Sequence, residues 1–172
     1  MRLPLIRPAE LSPRQRALYD AFEGMVEDVM LHFPDLAQPL GLFVDLAQRL
    51  PGLSERARQV VILTIGGRFN VAYEMYAHAR LASRAGLRPD QVATLCTGGR
   101  PCDLTEEDVL ASDVATALIA GGPVPGPLYD TLVETLGQEA FDAIVFITIH
   151  YLALGTLLNA YDVPAGSPSS GK

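Results

Sequence analysis

The chain has 172 residues, 49% of them hydrophobic, enough for one sizeable core, so a single domain is the starting expectation. A formal net charge of -7 and a pI of about 4.8 argue against a phosphate-binding surface, which needs clustered Lys and Arg, so nucleic acid is not an expected partner. Two cysteines make no disulfide scaffold, and Met1 to Leu11 already holds Arg2, Arg7 and Glu10 instead of a charged-then-apolar leader, so a cytoplasmic location is expected.

Ser12 is placed to cap a helix with Pro13 at its first position and Gln15 closing a capping box, and apolar residues then recur at Leu18, Phe22, Met25, Val26 and Met30. His32-Phe33-Pro34-Asp35 breaks that helix. Leu36, Leu40, Phe43, Val44, Ala47 and Leu50 mark a second, which Pro51-Gly52 stops. Ser54 caps a third, carrying Val60, Val61, Leu63, Thr64 and Ile65, which the Gly66-Gly67 pair weakens or ends, so that it stops near Arg68. A fourth runs from about Asn70 to Ala85, with Tyr73, Ala77, Leu81 and Ala85 on one stripe and Gly86 at a left-handed cap. Pro89 starts a short fifth. Thr105 and Asp108 form the capping box of a sixth, which holds Val109, Val114, Ala117 and Leu118 and ends at Gly121-Gly122-Pro123. Leu128 to Leu136 and Gln138 to Tyr161 complete the set.

Ala143 to Ala160 carries no charge, and its 18 residues approach the lower limit for crossing a bilayer. His150, Thr148, Thr156 and Asn159 lie inside the run, Glu139, Asp142 and Asp162 flank it, and no Lys or Arg stands near to set an orientation. A helix buried in a core or subunit interface is therefore expected in place of a membrane span. Nothing alternates with period two; Val60 to Ile65 is the only β-branched run, and its cap and flanks favour helix. The expectation is an all-α single domain over residues 1–164, followed by a Gly-, Ser- and Pro-rich tail, 165–172, expected to be disordered.

Glu74 and His78 are four apart, so on a helix their side chains share one face and can meet. A carboxylate beside an imidazole holds one ring tautomer and suits proton transfer near neutral pH; periodicity alone leaves a surface ion pair equally open.

Tyr73-Glu74-Met75-Tyr76-Ala77-His78 resembles the Tyr-Glu-Trp-x-x-His signature of the carboxymuconolactone decarboxylase family within the AhpD-like superfamily, with Met75 in place of Trp. Arg58-Gln59-Val60-Val61-Ile62-Leu63 is similar to that family's Arg-Glu-Leu-Val-Ile-Leu helix, and the similarity extends from about Leu3 to Pro164. The resemblance implies an AhpD-like helical bundle, homo-oligomeric as a trimer or hexamer. It further implies cofactor-free acid-base catalysis, decarboxylation or isomerisation, on a small organic acid or lactone. In that reading His78 moves the proton, Glu74 orients it, and Gln59 or Arg68 holds the substrate. The family's hydroperoxide-reducing branch carries Cys-x-x-Cys where this chain has Val71 and Glu74, and without paired thiols no dithiol cycle can run there. The family also often has Glu at the place of Gln59. An amide cannot pass a proton on, so either the relay shortens to Glu74 and His78, the preferred expectation, or Glu55 substitutes one turn earlier.

Further candidates are Arg68, whose planar fork could hold a substrate carboxylate, and His150, a mid-helix imidazole that is either a satisfied core residue or part of a pocket wall. Tyr73 is a substrate-wall candidate, and more generally Tyr73 and Tyr76 read as packing residues, while Tyr151 is expected to point elsewhere on its helix. His32 reads as a helix-terminus residue. Cys96 and Cys102 match no zinc or redox spacing, and with three histidines and no His-Glu-x-x-His no metal is expected, nor any other cofactor. Two alternatives remain open: an alkylhydroperoxidase-like thiol redox protein using Cys96 or Cys102, and a non-catalytic helical binding protein on the same scaffold.

Overall fold

The structure is a computed structural model that describes residues 1–21 and 28–166. It contains α1 (Pro13–Ala21), α2 (Pro34–Arg49), α3 (Glu55–Arg68), α4 (Ala72–Arg84), α5 (Pro89–Cys96), α6 (Glu106–Ala120), α7 (Gly126–Leu136) and α8 (Gln138–Ala160), with short 3-10 turns at Pro8–Glu10 and Asp28–His32. Among the described residues there is no strand.

The capping chemistry sets the boundaries as expected. Ser54 Oγ accepts from the Ala57 backbone N–H at 3.1 Å, Thr105 and Asp108 exchange bonds at the start of α6, and Gly86 at φ +93° closes α4. The first helix differs from the expectation. Its described part ends at Ala21, and Met30 sits in the separate turn Asp28–His32; Phe22, Met25 and Val26 lie outside the described residues, as does most of the tail, 167–172.

α3 ends at Arg68, where it is expected to stop, and passes through the Gly66-Gly67 pair without a break. A Cβ on Gly67 would stand 2.0 Å from the Leu95 carbonyl oxygen and 2.9 Å from the Gly98 nitrogen. The missing side chain thus lets α3 and the end of α5 touch backbone to backbone, and the loss of helix propensity is offset by close packing.

α3 is the axis of the molecule, buried on nearly every side from Ala57 to Gly66 and contacted by α4, α5, α6 and α8. One core forms where α3 meets α6, α7 and α8, around Ile62, Ile65, Val114, Leu132, Ile144 and Ile147. A second gathers α1, the 28–32 turn and the far end of α8; a third packs α3 against α4 and α5. α8 is long and apolar enough to cross a membrane by length and composition, yet in this fold Ala143, Ile144, Ile147, Thr148, Tyr151, Gly155 and Leu158 are buried against protein. Leu42 and Leu46 on α2 and Phe146 and Ile149 on α8 remain exposed. The four helices α2, α3, α4 and α8 leave a cavity between them.

Candidate active site

That cavity has a volume of about 390 Å³ and is walled by Met30, Leu40, Tyr73, Ala77, Leu81 and Leu154 on its apolar sides. Its polar groups are Gln48 from α2, Glu55 and Gln59 from α3, Glu74 and His78 from α4, and His150 and Tyr151 from α8.

Helical periodicity brings Glu74 and His78 to one face of α4, and packing turns that face inward: the residues are 4% and 9% exposed. His78 Nε2 lies 3.3 Å from Glu74 Oε2. On its other side His78 Nδ1 is 2.8 Å from Gln59 Oε1, while Gln59 Nε2 donates to Glu55 Oε1 at 2.7 Å. The chemistry of the partners fixes the direction of this chain. An ionised carboxylate only accepts, so the Gln59 amide must turn its NH₂ to Glu55 and its carbonyl to the imidazole. His78 Nδ1 therefore carries a hydrogen and donates it, leaving Nε2 as the nitrogen that gains or loses a proton beside Glu74.

Tyr151 completes the ring's surroundings, against the expectation that it points elsewhere. Its hydroxyl is 3.0 Å from His78 Nε2 and accepts from Gln48 Nε2 at 2.8 Å, and the two rings meet edge-on at 5.2 Å. Burial first, then the charge of Glu74, pushes the Tyr151 phenol well above its ordinary range, so it stays an O–H. It can donate to Nε2 when that nitrogen is bare and accept from it when it is protonated. The sequence signal was present: a tyrosine hydroxyl on an apolar, buried helix needs a polar partner. Gln48 carried the same signal within the α2 apolar run.

His150 lines the same cavity at 3% exposure, its ring edge-on to Tyr151 at 4.8 Å. Neither of its nitrogens has a hydrogen-bond partner among the described residues. Burial, and secondarily the neighbouring His78, pushes this imidazole down to about 4, so it is neutral at physiological pH. Tyr73 lies in the wall as expected, and Tyr76 is exposed.

Arg68 does not reach the cavity, which corrects its assignment to substrate binding. It lies nine residues beyond Gln59, which on a helix is half a turn away in direction and ~13 Å further along the axis, and it is exposed. The buried guanidinium of the same helix, Arg58, is committed elsewhere: it donates to the carbonyls of Ala47 and Leu50 and so satisfies the end of α2. Cys96 and Cys102 are unpaired and away from the cavity lining, and burial pushes the Cys96 thiol up, away from the reactive thiolate. His32 meets the Pro4 carbonyl at 2.9 Å. Among the described residues no three His, Cys, Asp or Glu side chains are grouped to hold a metal ion.

No protein-family model matches the chain, and no curated protein matches it. Solved structures do. The apo debrominase Bmp8 aligns with a TM-score of 0.74 at 15% identity over 96% of this chain and 92% of that one. A Cys-to-Ala variant of Bmp8 in complex with 2,3,4-tribromopyrrole aligns at 0.72 and 17% identity, over 99% and 94%. An alkylhydroperoxidase AhpD core, an uncharacterized peroxidase-related protein from Ralstonia eutropha JMP134, aligns at 0.76 and 18% identity, over 98% and 93%. The chain therefore has the AhpD-like all-α fold that the motif resemblance implied. At these identities the likeness is one of fold.

Proposed function

We propose that this protein is an enzyme that moves a proton on a small carbonyl compound without a cofactor, the chemistry of isomerisation or decarboxylation. The observation that carries the reading is the buried His78-Glu74 pair in the cavity lining, with His78 Nε2 beside Glu74 and its Nδ1 held by Gln59. In this reading Nε2 takes a proton from the carbon next to the carbonyl. The electron pair of the broken C–H bond moves onto the carbonyl oxygen as an enolate, and the imidazolium rests against the Glu74 carboxylate. Return of that proton to another carbon of the enolate completes an isomerisation. For decarboxylation the C–CO₂ bond supplies the electron pair and the imidazolium delivers the proton.

Gln59 serves this scheme as a positioning residue, since an amide fixes a tautomer but does not relay a proton to Glu55. The relay is then the shorter one, Glu74 and His78, with Tyr151 following the protonation of Nε2. A thiol mechanism of the kind a peroxidase-related neighbour suggests has less support, because neither cysteine lines the cavity. Self-association as a homo-oligomer belongs to the same proposal, supported by the exposed Leu42, Leu46, Phe146 and Ile149 on adjoining helices.

The test is the conversion of α-angelica lactone to its β isomer, a proton shift from the α to the γ carbon. Turnover should fall by about two to four powers of ten in His78→Gln. Turnover unchanged in that variant would overturn the proposal, as would hydroperoxide consumption that is lost in Cys96→Ser or Cys102→Ser.

A further inference from the structure

The described lining of the cavity combines two carboxylates with no balancing Lys or Arg. Glu55 and Glu74 line it, and among the described lining residues there is neither Lys nor Arg. Arg58 is spent on the end of α2, and Arg68 is exposed and outside the lining. An anion entering this space would lose its hydration and meet like charge, with no fixed guanidinium or ammonium to replace the lost water.

A cation is poorly served too. Glu74 already faces the His78 imidazole, and Glu55 at the exposed edge accepts from the Gln59 amide. Apart from the uncharged amide of Gln48, the remaining wall is aliphatic or aromatic, suited to an uncharged organic body.

His150 supplies what such a body needs at one point. A buried polar group without a partner is uncommon in a folded protein, and here both nitrogens of one imidazole are in that state in the cavity wall. A neutral imidazole offers one N–H and one lone pair, so it can donate to a carbonyl oxygen without bringing charge. Its neighbour His78 lines the same space from α4.

We infer that the ligand of this site is an uncharged carbonyl compound, a lactone or ketone, whose oxygen is hydrogen-bonded by His150. This narrows the reaction and rests on the proton-transfer reading: a decarboxylation substrate enters as a carboxylate, whereas an isomerisation substrate needs no charge, so isomerisation is the assigned branch. The enolate oxygen formed when Nε2 takes the proton is then met by the His150 N–H, with no change in the number of protons held by substrate and protein together.

The experiment uses three probes of nearly one shape and different charge: acetophenone, benzoate and benzamidine, titrated calorimetrically into the 172-residue chain. Acetophenone should bind at least about tenfold more tightly than either ion. His150→Leu should weaken acetophenone by about tenfold, with His150→Gln in between, and both variants are to be checked for an unchanged melting profile at neutral pH. Tighter binding of benzoate or of benzamidine would overturn the inference, as would no binding of acetophenone to the folded protein, or equal affinity in His150→Leu. Because binding is read without turnover, the two readings separate. Loss of the charge preference with His78-dependent lactone isomerisation intact sinks only the ligand assignment. An intact preference with no isomerisation sinks the proton-transfer reading and leaves a binding site for neutral carbonyl compounds.

Discussion

α3 carries two buried polar clusters, and they differ in how completely the protein satisfies them. Arg56 Nε donates to Asp108 Oδ2 at 2.7 Å, and its other nitrogens reach the Gly86 carbonyl and Gln91 Oε1; Gln91 in turn donates to the Asp103 carbonyl and side chain at 3.2 and 3.1 Å. That network ties α3 to α5 and α6, and apart from Asp108 Oδ1 its charged atoms are partnered from within. Three residues along the helix, Gln59 opens the other cluster, where the imidazole of His150 has no hydrogen-bond partner among the described residues and a cavity separates the groups. Burial and charge are common to both. What distinguishes a candidate site from a structural knot is hydrogen-bonding capacity left unspent beside open volume.

The comparison predicts opposite phenotypes on the two sides. His78→Gln should lower lactone isomerisation by about two to four powers of ten while leaving the denaturation midpoint close to wild type. Arg56→Leu should do the reverse. It leaves the fully buried Asp108 carboxylate without its cation, an expected loss of about 3–5 kcal/mol in urea unfolding, with turnover per folded molecule preserved. A large stability loss in His78→Gln, or a large rate loss per folded Arg56→Leu molecule, would erase the distinction.

A third effect, comparable in size, sharpens it through pH. His150 is pushed from its ordinary 6.5 down to about 4 by burial, so between those values the unfolded chain binds a proton that the folded chain refuses. Its contribution is complete above pH 6.5 and is lost as pH falls through the window toward 4, about 3 kcal/mol in all. His150→Leu should flatten that part of the stability profile, measured by denaturation at a series of pH values; an unchanged slope would show that another group titrates there. The smallest effect is expected at the thiols. Cys102→Ser, at an exposed position, should shift stability by less than about 0.5 kcal/mol, and neither it nor Cys96→Ser should alter isomerisation.

Much of the architecture was legible because helix boundaries are written locally. Ser54, Thr105 with Asp108, Gly86 and the Gly121-Gly122-Pro123 stop each act within a turn of their own position. The packing role of Gly67 was not legible for the complementary reason: it depends on the Leu95 carbonyl, 28 positions away in the chain, which no local rule reports.

The sequence by itself determined the all-α class and put Glu74 and His78 on one helical face, because a 3.6-residue period fixes which side chains of a helix lie together. Only the tertiary structure decided that this face looks into a cavity, that Gln59 and Tyr151 grip the two imidazole nitrogens while Arg68 stays outside, and that His150 is left with its bonds unmade. Those are relations between helices, set by how their surfaces interlock across the core, and a single helix's periodicity carries no information about the partner its face will meet.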